Sequence, residues 1–200
     1  VDHRGEVVDG DQMLYIIASS RRASGRLHGG VVGTLMSNLG LEQALMAQKV
    51  PFRRANVGDR YVMALLQQEG WELGGETSGH LLCLDKSTTG DGIVAALEVL
   101  AVVRQTGKSL AELKAGMQIF PQTMINVRMS RRFDLKASAP VQKALGEVEK
   151  ELAANGRVVL RASGTEPVVR VMIEGRDPAL VARLGQQLAD TVKRAAEEAA

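Results

Sequence analysis

Hydrophobic residues in the first half of the chain occur either in short continuous runs or at helical spacing. The apolar run at 29–37 (GGVVGTLMS) lies between glycines and predicts a buried strand, and 52–57 (FRRANV) is predicted to be another strand. Between and after these runs, apolar residues recur every three or four positions, which is the pattern of amphipathic helices. The predicted helices are 11–22, 38–49 and 58–70. Strands that alternate with helices predict an α/β domain with a largely parallel sheet.

Polar and glycine residues mark the ends of these elements. Asp11 is the predicted N-cap of the first helix, and Gly70 is typical of the residue that ends a helix. Residues 71–85 predict two strands joined by a glycine-rich loop.

The segment 90–107 has the strongest helical pattern in this half of the chain. Asp91 is the predicted start of the helix, and Gly107 closes it. Four apolar residues recur at helical spacing and predict the apolar stripe of an amphipathic helix: Ile93, Leu97, Leu100 and Val103.

The pattern changes near residue 118, and residues 118–121 (QIFP) are a candidate hinge. The predicted strands beyond it are 122–130, 157–161 and 168–174. The predicted helices are 140–154 and a final helix that begins at Asp177 and Pro178. A tight loop joins the last two strands, so they should form an antiparallel hairpin. We therefore expect a smaller α+β domain, with an antiparallel sheet flanked by helices.

Composition limits the classes of function. The chain has 200 residues, of which 45% are hydrophobic and 24% charged, as in an ordinary globular protein. Its net charge of +2 and its few aromatic residues argue against a nucleic-acid partner. No apolar run approaches the roughly 18 residues that suggest a membrane span, so we expect no membrane partner.

The only cysteine, Cys83, lies in the apolar stretch HLLCLD. We expect a buried structural thiol, and a chain that needs no disulfide fits the reducing cytoplasm. The chain opens without methionine, in a pattern of strand, turn and strand. We expect it to be part of a longer protein.

The stretch LRASGTEPVVRVMIEG, residues 160–175, has the features of a phosphate-binding loop. Two arginines can each offer a forked pair of donors, hydroxyl groups add more, and a glycine lets successive backbone N–H groups point into one concavity. The candidate phosphate-binding residues are Arg161, Ser163, Gly164, Thr165 and Arg170. A plain hairpin loop with solvated arginines is the alternative.

Five motifs together resemble the α-D-phosphohexomutase superfamily. RASGTEPVVRV is similar to its phosphate-binding loop, and GGETSGH (74–80) is similar to its sugar-recognition loop. VGTLMSN (32–38), VGDRYV (57–62) and TTGDGI (88–93) resemble, in this order, the bacterial phosphoglucosamine mutase branch. The resemblance covers essentially all 200 residues.

The resemblance implies an isomerase that interconverts glucosamine 6-phosphate and glucosamine 1-phosphate, for UDP-N-acetylglucosamine and cell-wall synthesis. It implies a phosphoserine enzyme, a bisphosphate intermediate and Mg²⁺. The implied substrate-binding residues are Glu76, Ser78 and His80 in one loop, and Gly58, Asp59 and Arg60 in another. His80 either contacts the substrate, where it could assist proton transfer, or braces its loop. Asp59 either binds the 2-amino group or caps the following helix.

Two parts of the family pattern are absent from these 200 residues. One is the metal loop Asp-Gly-Asp-Gly-Asp-Arg, and the other is the motif with the phosphorylated serine. Asp11 and Asp91 are better interpreted as helix caps than as magnesium ligands. We therefore expect the carboxy-terminal half of the enzyme, with residues 1–9 ending its second domain, 10–118 its third and 119–200 its fourth.

Without the serine and the metal loop, we expect no turnover from this chain alone. Its expected partners are a hexosamine phosphate and the missing amino-terminal domains, and a homodimer stays open. The alternative functions are a phosphomannomutase/phosphoglucomutase of the same superfamily and a non-catalytic phosphosugar-binding module.

Overall fold

The computed structural model describes residues 1–130, 134–163 and 166–198. The chain divides into two compact units, Val1–Ile119 and Phe120–Ala200, which are described separately below. Within the described ranges, no helix is both long enough and apolar enough to cross a bilayer.

The first unit contains a four-stranded mixed sheet. Its strands are β1 (Val31–Thr34), β2 (Phe52–Ala55), β3 (Leu73–Gly75) and β4 (Leu81–Cys83). Its helices are α1 (Gly10–Ala23), α2 (Leu39–Ala47), α3 (Asp59–Glu69), α4 (Gly92–Thr106) and α5 (Leu110–Lys114). The strand order is β2-β1-β3-β4, in which β1 pairs in parallel with β2 and β3, and β4 is antiparallel to β3.

Helices cover both faces of this sheet. Alternate residues of a strand point to opposite faces, and Val31 and Val32 accordingly lie in two different apolar clusters. The cluster around Val31 includes residues of α1, α2 and α4, and the cluster around Val32 includes Val62 and Leu66 of α3. These contacts fix the sheet between two layers of helices.

The start of α1 differs from the prediction. Asp9, and not Asp11, is the N-cap: its carboxylate accepts a hydrogen bond from Gln12 N at 2.8 Å, and Gln12 Oε1 accepts one from Asp9 N at 3.1 Å. This reciprocal pair is a capping box, which needs a Glu or Gln three residues after the cap. Asp11 has Leu14 at that position and lies inside the first turn, fully buried.

The apolar stripe predicted for α4 faces outward. Ile93, Leu97 and Leu100 are 74%, 60% and 58% exposed, whereas Val99 and Val102 are buried. Nearly every residue of α4 before Arg104 is apolar, so helical spacing alone does not identify the buried face. The ends of the helix agree with the prediction, because Asp91 accepts hydrogen bonds from Ile93 N and Val94 N, and Gly107 has a left-handed conformation.

The second unit is a three-stranded antiparallel sheet with helices packed on one face. Its strands are β5 (Gln122–Arg128), β6 (Gly156–Ala162) and β7 (Val168–Gly175), in the order β5-β7-β6. Its helices are α6 (Ala139–Leu152) and α7 (Pro178–Glu198), and a 3-10 turn (Ala153–Asn155) follows α6. Asp177 Oδ1 accepts hydrogen bonds from Ala179 N and Leu180 N, as expected for the cap of α7.

The apolar positions of β7 that face the helices are Val169, Val171 and Ile173. They pack in one cluster with the buried positions of α6 and α7. The predicted fold class, a mixed α/β domain followed by a smaller α+β domain, is confirmed.

Candidate functional site

The candidate sugar-binding residues lie at one edge of the first sheet. Strands β1, β2 and β3 run in parallel, so the loops that follow their carboxyl ends, 35–38, 56–58 and 76–80, meet at that edge. In open α/β sheets, ligands bind outside the carboxyl ends of the strands. The glycine-rich loop predicted from the sequence is therefore at the expected position for a ligand.

Glu76 joins two of these loops. Its Oε1 accepts a hydrogen bond from Gly58 N at 3.0 Å. Within its own loop, Glu76 N donates to His80 O and Gly79 N donates to Glu76 O, both at 3.0 Å. These bonds form a tight turn that leaves Ser78 exposed. Gly58 and Glu76, which the sequence placed in separate motifs, are thus brought together.

His80 lies against the loop before α4. A Cβ atom on Gly90 would lie 2.0 Å from His80 Nε2, so only glycine leaves room for the imidazole there. The ring is partly exposed. The TTGDGI motif therefore contributes a glycine that admits His80 and an aspartate, Asp91, that caps α4.

Asp59 and Arg60 lie at the start of α3. Gly58, and not Asp59, is the N-cap of this helix, so the capping role considered for Asp59 is wrong. The Asp59 carboxylate is exposed and accepts a hydrogen bond from Arg60 N at 2.7 Å. The Arg60 guanidinium lies over the Tyr61 ring, 4.5 Å from its centroid. Asp59 forms no ion pair with the residues that the structure describes, so its charge is available to a ligand.

Arg161 and Arg170 are cross-strand neighbours on β6 and β7. Directly opposed residues of antiparallel strands have their side chains on the same face. That face is opposite to α6 and α7, because Val169 and Val171, which flank Arg170, pack against the helices. Neither guanidinium forms an ion pair or hydrogen bond with a described residue, so two unpaired cations lie side by side.

The loop between these strands is closed at its base by backbone hydrogen bonds. Ser163 N donates to Val168 O at 2.7 Å, and Met129 N donates to Pro167 O at 2.9 Å. Gly164 and Thr165, two of the predicted phosphate-binding residues, lie outside the described residues.

Several polar residues near the candidate sites were not predicted from the sequence. Asn126 on β5 is the cross-strand neighbour of Arg170, and Arg128 is two residues further along the same strand. The alternation in MINVR could have identified both, since it places them on one face of a strand. Asp11 and Thr77 are in contact near the sugar loop, and no local pattern relates residues 66 positions apart.

Cys83 is buried within the first unit and 2% exposed. Burial raises the pKa of its thiol to about 11. The prediction of a buried structural cysteine is confirmed.

Comparison with known families gives two matches that cover most of the chain. Residues 9–120 match the model of phosphoglucomutase/phosphomannomutase, alpha/beta/alpha domain III. Residues 124–191 match the model of phosphoglucomutase/phosphomannomutase, C-terminal domain. The chain belongs to the phosphoglucomutase/phosphomannomutase family.

Within this family, the chain is similar to bacterial phosphoglucosamine mutases. It is 57% identical to that of Methylococcus capsulatus over 195 residues, which are 98% of the chain and 44% of the relative. It is 55% identical to that of Hahella chejuensis over 193 residues, 96% of the chain and 43% of the relative. The resemblance derived from the motifs is confirmed, and the chain spans less than half the length of these relatives.

Solved structures of more distant relatives have the same fold. An N-acetylphosphoglucosamine mutase of Aspergillus fumigatus, in complex with GlcNAc-6P and magnesium, has a TM-score of 0.78 at 20% identity, over 94% of this chain and 47% of that one. A second structure of the Aspergillus fumigatus enzyme has a TM-score of 0.80 at 22% identity, over 96% of this chain and 44% of that one.

The first of these Aspergillus fumigatus structures contains magnesium, and three aspartates of this chain that are candidates for metal ligands have other contacts. Asp9 caps α1, Asp91 caps α4, and Asp11 accepts hydrogen bonds from Asn38 and Thr77. In the described part of the chain, no group of three His, Cys, Asp or Glu residues converges. These residues do not form the cluster of oxygen ligands that Mg²⁺ needs.

Proposed function

We propose that the chain is the carboxy-terminal part of a phosphoglucosamine mutase and that it binds the sugar and one phosphate of a hexosamine phosphate. The observation that carries the proposal is that Arg161 and Arg170 are opposed on neighbouring strands and have no partner among the residues that the structure describes. Two such cations are stabilised by an anion that contacts both, and a phosphate with forked hydrogen bonds fits this need. The identity of 57% to a phosphoglucosamine mutase supports the substrate class.

The sugar is bound by the loops at the edge of the first sheet. Glu76 accepts hydrogen bonds from sugar hydroxyl groups, and Ser78, exposed beside it, contributes a further hydroxyl. His80 contacts the same ligand from the end of the loop. Because one oxygen of Glu76, Oε1, accepts from Gly58 N, the proposal assigns the sugar hydroxyl groups to its second oxygen.

The loop at Gly58, Asp59 and Arg60 determines which sugar binds. The exposed carboxylate of Asp59 attracts the cationic 2-amino group of glucosamine, which mannose and glucose lack. Arg60 lies over the Tyr61 ring, and its Nη2 donates a hydrogen bond to the Tyr61 hydroxyl, so its position at the start of α3 is fixed. This arrangement favours the glucosamine branch over a phosphomannomutase/phosphoglucomutase, which is the alternative.

The non-reacting phosphate is held by the loop between β6 and β7. Arg161 and Arg170 supply forked donors, and Ser163, Gly164 and Thr165 supply hydroxyl and backbone donors. Residues 118–121, where the two units meet along the chain, are the proposed hinge.

The domain assignment follows from the same proposal. Residues 1–9 end the second domain of the mutase, 10–118 form its third and 119–200 its fourth. The proposal places the serine nucleophile and the Mg²⁺ ligands in other domains of the enzyme, where the metal would supply positive charge to a phosphoryl group. This chain binds and orients the substrate and has no turnover alone. A cytoplasmic location completes the proposal, since a chain with one free thiol suits that compartment.

Calorimetric titration of the chain with glucosamine 6-phosphate tests the proposal. Saturable binding is expected, and the double variant Arg161→Ala with Arg170→Ala should lose it. The matched control is Arg183→Ala with Arg194→Ala, which removes two arginines from the exposed side of α7. No binding, or equal binding by both double variants, contradicts the proposal. A non-catalytic module, the second alternative, would bind equally well but could not restore turnover to the amino-terminal domains.

A further inference from the structure

Asp11 is a buried carboxylate that joins three separate segments. It lies in the first turn of α1 and is 0% exposed. Its Oδ2 accepts a hydrogen bond from Asn38 N at 2.8 Å and another from Thr77 Oγ1 at 2.8 Å. Asn38 precedes α2, and Thr77 lies in the sugar loop. One oxygen atom thus holds the loop after β1 and the loop after β3 to the start of α1.

Thr77 is fixed to α1 through its backbone as well. Gly10 N donates to Thr77 O at 2.9 Å. A Cβ atom on Gly10 would lie 2.0 Å from Glu76 O, so the loop packs directly on the backbone of the helix. The carbonyl oxygen and the hydroxyl of Thr77 therefore bond to two consecutive residues of α1, Gly10 and Asp11. Its neighbours Glu76 and Ser78 have little freedom to move independently of that helix.

This arrangement has a cost in stability. The second oxygen of Asp11, Oδ1, is buried and has no hydrogen-bond partner among the described residues. Burial raises the pKa of Asp11, since the charged form loses its hydration. A buried carboxylate with one unsatisfied oxygen is an expensive way to stabilise a fold, because an apolar residue would fill the same space. The Asp11 carboxylate is explained better by the positions in which it holds its two donors, Asn38 N and Thr77 Oγ1.

We propose that Asp11 is the positioning residue of the sugar loop and acts through the Thr77 hydroxyl to fix Glu76 and Ser78 in the binding geometry. The role of Glu76 and Ser78 toward a ligand rests on the proposed function, but the positioning of the loop does not. Asp11 touches no ligand itself. The effect of Asp11 on the sugar loop passes through its hydrogen bond with the Thr77 hydroxyl. A substitution that removes this bond therefore tests the proposal.

Thr77→Val removes the hydroxyl and keeps the shape of the side chain, whereas Thr77→Ser keeps the hydroxyl. Amide hydrogen exchange of the unliganded chain is the first measurement. Glu76 N and Gly79 N are hydrogen-bonded within the loop and report its order. We expect both to exchange about tenfold faster in Thr77→Val, since a hydrogen bond to a charged group contributes on that scale. In Thr77→Ser, which keeps the hydrogen bond, both amides should exchange at rates within about twofold of those in the unsubstituted chain.

Thr191→Val is the matched control. The Thr191 hydroxyl donates to Gln187 O within α7, so the same substitution removes a hydrogen bond outside the first unit. It should leave the exchange of Glu76 N and Gly79 N unchanged. Equal exchange in Thr77→Val and the unsubstituted chain would overturn the positioning role.

Titration with glucosamine 6-phosphate and with inorganic phosphate is the second measurement. We expect Thr77→Val to weaken the sugar phosphate about tenfold and to leave inorganic phosphate unchanged, with Thr77→Ser restoring the affinity. If Thr77→Val loosens the loop but binds the sugar phosphate normally, Asp11 does not position the site and the proposal is wrong. If the unsubstituted chain binds no sugar phosphate, the proposed function of the chain fails, and the exchange measurement still decides whether Asp11 orders the loop.

Discussion

Arg161 on β6 and Arg170 on β7 are directly opposed across the hairpin. Like charges at such positions destabilise a sheet, unlike the ion pair that Arg157 forms with the buried Glu174, four residue pairs away on the same two strands. A hairpin that retains, next to its connecting loop, two cations without a partner among the described residues has a geometry suited to an anion. The opposed arginines therefore predict that an anion changes the free energy of unfolding, whether or not a sugar is attached to it.

Phosphate should stabilise the chain, and Arg170→Gln should abolish that effect. At a phosphate concentration of 100 Kd, binding to the folded state adds about 2.7 kcal/mol to the free energy of unfolding. Without phosphate, Arg170→Gln should be equally stable or slightly more stable, since the repulsion is removed. Urea unfolding in phosphate and in chloride at equal ionic strength measures both effects. Arg194→Gln, on α7, is the control, and an equal response of the two variants would contradict the prediction.

The hairpin could be predicted from the sequence because its determinants are local. Alternation at period two and a tight loop place Arg161 and Arg170 on paired strands, and the register follows from the loop. The contact of Asp11 with Thr77 could not be predicted, since it depends on how α1 packs on the edge of the sheet. The cap of α1 is different, because a local rule does distinguish the two aspartates: Asp9 has Gln12 three residues later, as a capping box needs, and Asp11 has Leu14.

The helix α4 shows a second limit of sequence patterns. Its outer residues Ile93, Leu97 and Leu100 are as apolar as its buried ones, so two stripes satisfy the helical period. Packing against α1 and β4 selects the stripe with the smaller residues Ala95, Val99 and Val102.

A pair of substitutions on α4 tests which face is buried. Val99→Ala should lower the free energy of unfolding by about 1–2 kcal/mol, because it removes buried methyl groups. Leu97→Ala should change it by less than about 0.5 kcal/mol, although it removes more carbon atoms, since Leu97 is 60% exposed. Urea unfolding followed by circular dichroism measures both values. A larger loss for Leu97→Ala would mean that the outer face is covered in solution.

Asp59→Asn should reduce the preference for an amino sugar. An exposed ion pair contributes up to about 1 kcal/mol, so we expect the affinity for glucosamine 6-phosphate to fall by up to about fivefold. The affinity for glucose 6-phosphate should not change, because that sugar has no amino group. Calorimetric titration with both ligands gives the ratio. Glu69→Gln, at the other end of α3, controls for the lost charge, and a parallel fall for both sugars would contradict a role for Asp59 in selection.

Cys83 should be unreactive in the folded chain. With the pKa of the thiol raised to about 11 by burial, almost no thiolate is present at pH 8, and the sulfur is 2% exposed. Reaction with an aromatic disulfide reagent at pH 8 should therefore be slow and limited by unfolding, and urea should accelerate it by orders of magnitude. Rapid reaction without urea would show that the first unit opens readily around β4.

The stability of the first unit should depend on pH through Asp11. Burial raises the pKa of this carboxyl in the folded state above its ordinary value of 3.8, and the neighbouring charge of Asp9 acts in the same direction. Between 3.8 and the folded pKa, the folded state therefore binds more protons than the unfolded state. The free energy of unfolding must fall as the pH rises through this window, and it stays constant above it with respect to this group.

Asp11→Asn tests this prediction. It keeps an oxygen that can accept hydrogen bonds from Asn38 and Thr77 but cannot titrate, so it should remove this fall. Its amide nitrogen would occupy the buried position of Oδ1 and lose its hydration there, so a loss of about 1–3 kcal/mol at all pH values is expected in addition. Urea unfolding from pH 3.5 to pH 8 separates the two effects. Loss of the titrating group changes how the free energy of unfolding varies with pH, whereas the buried amide lowers it equally at every pH. Asp190→Asn, on the exposed side of α7, removes a carboxylate without either effect. An unchanged slope in Asp11→Asn would mean that Asp11 is not the titrating group.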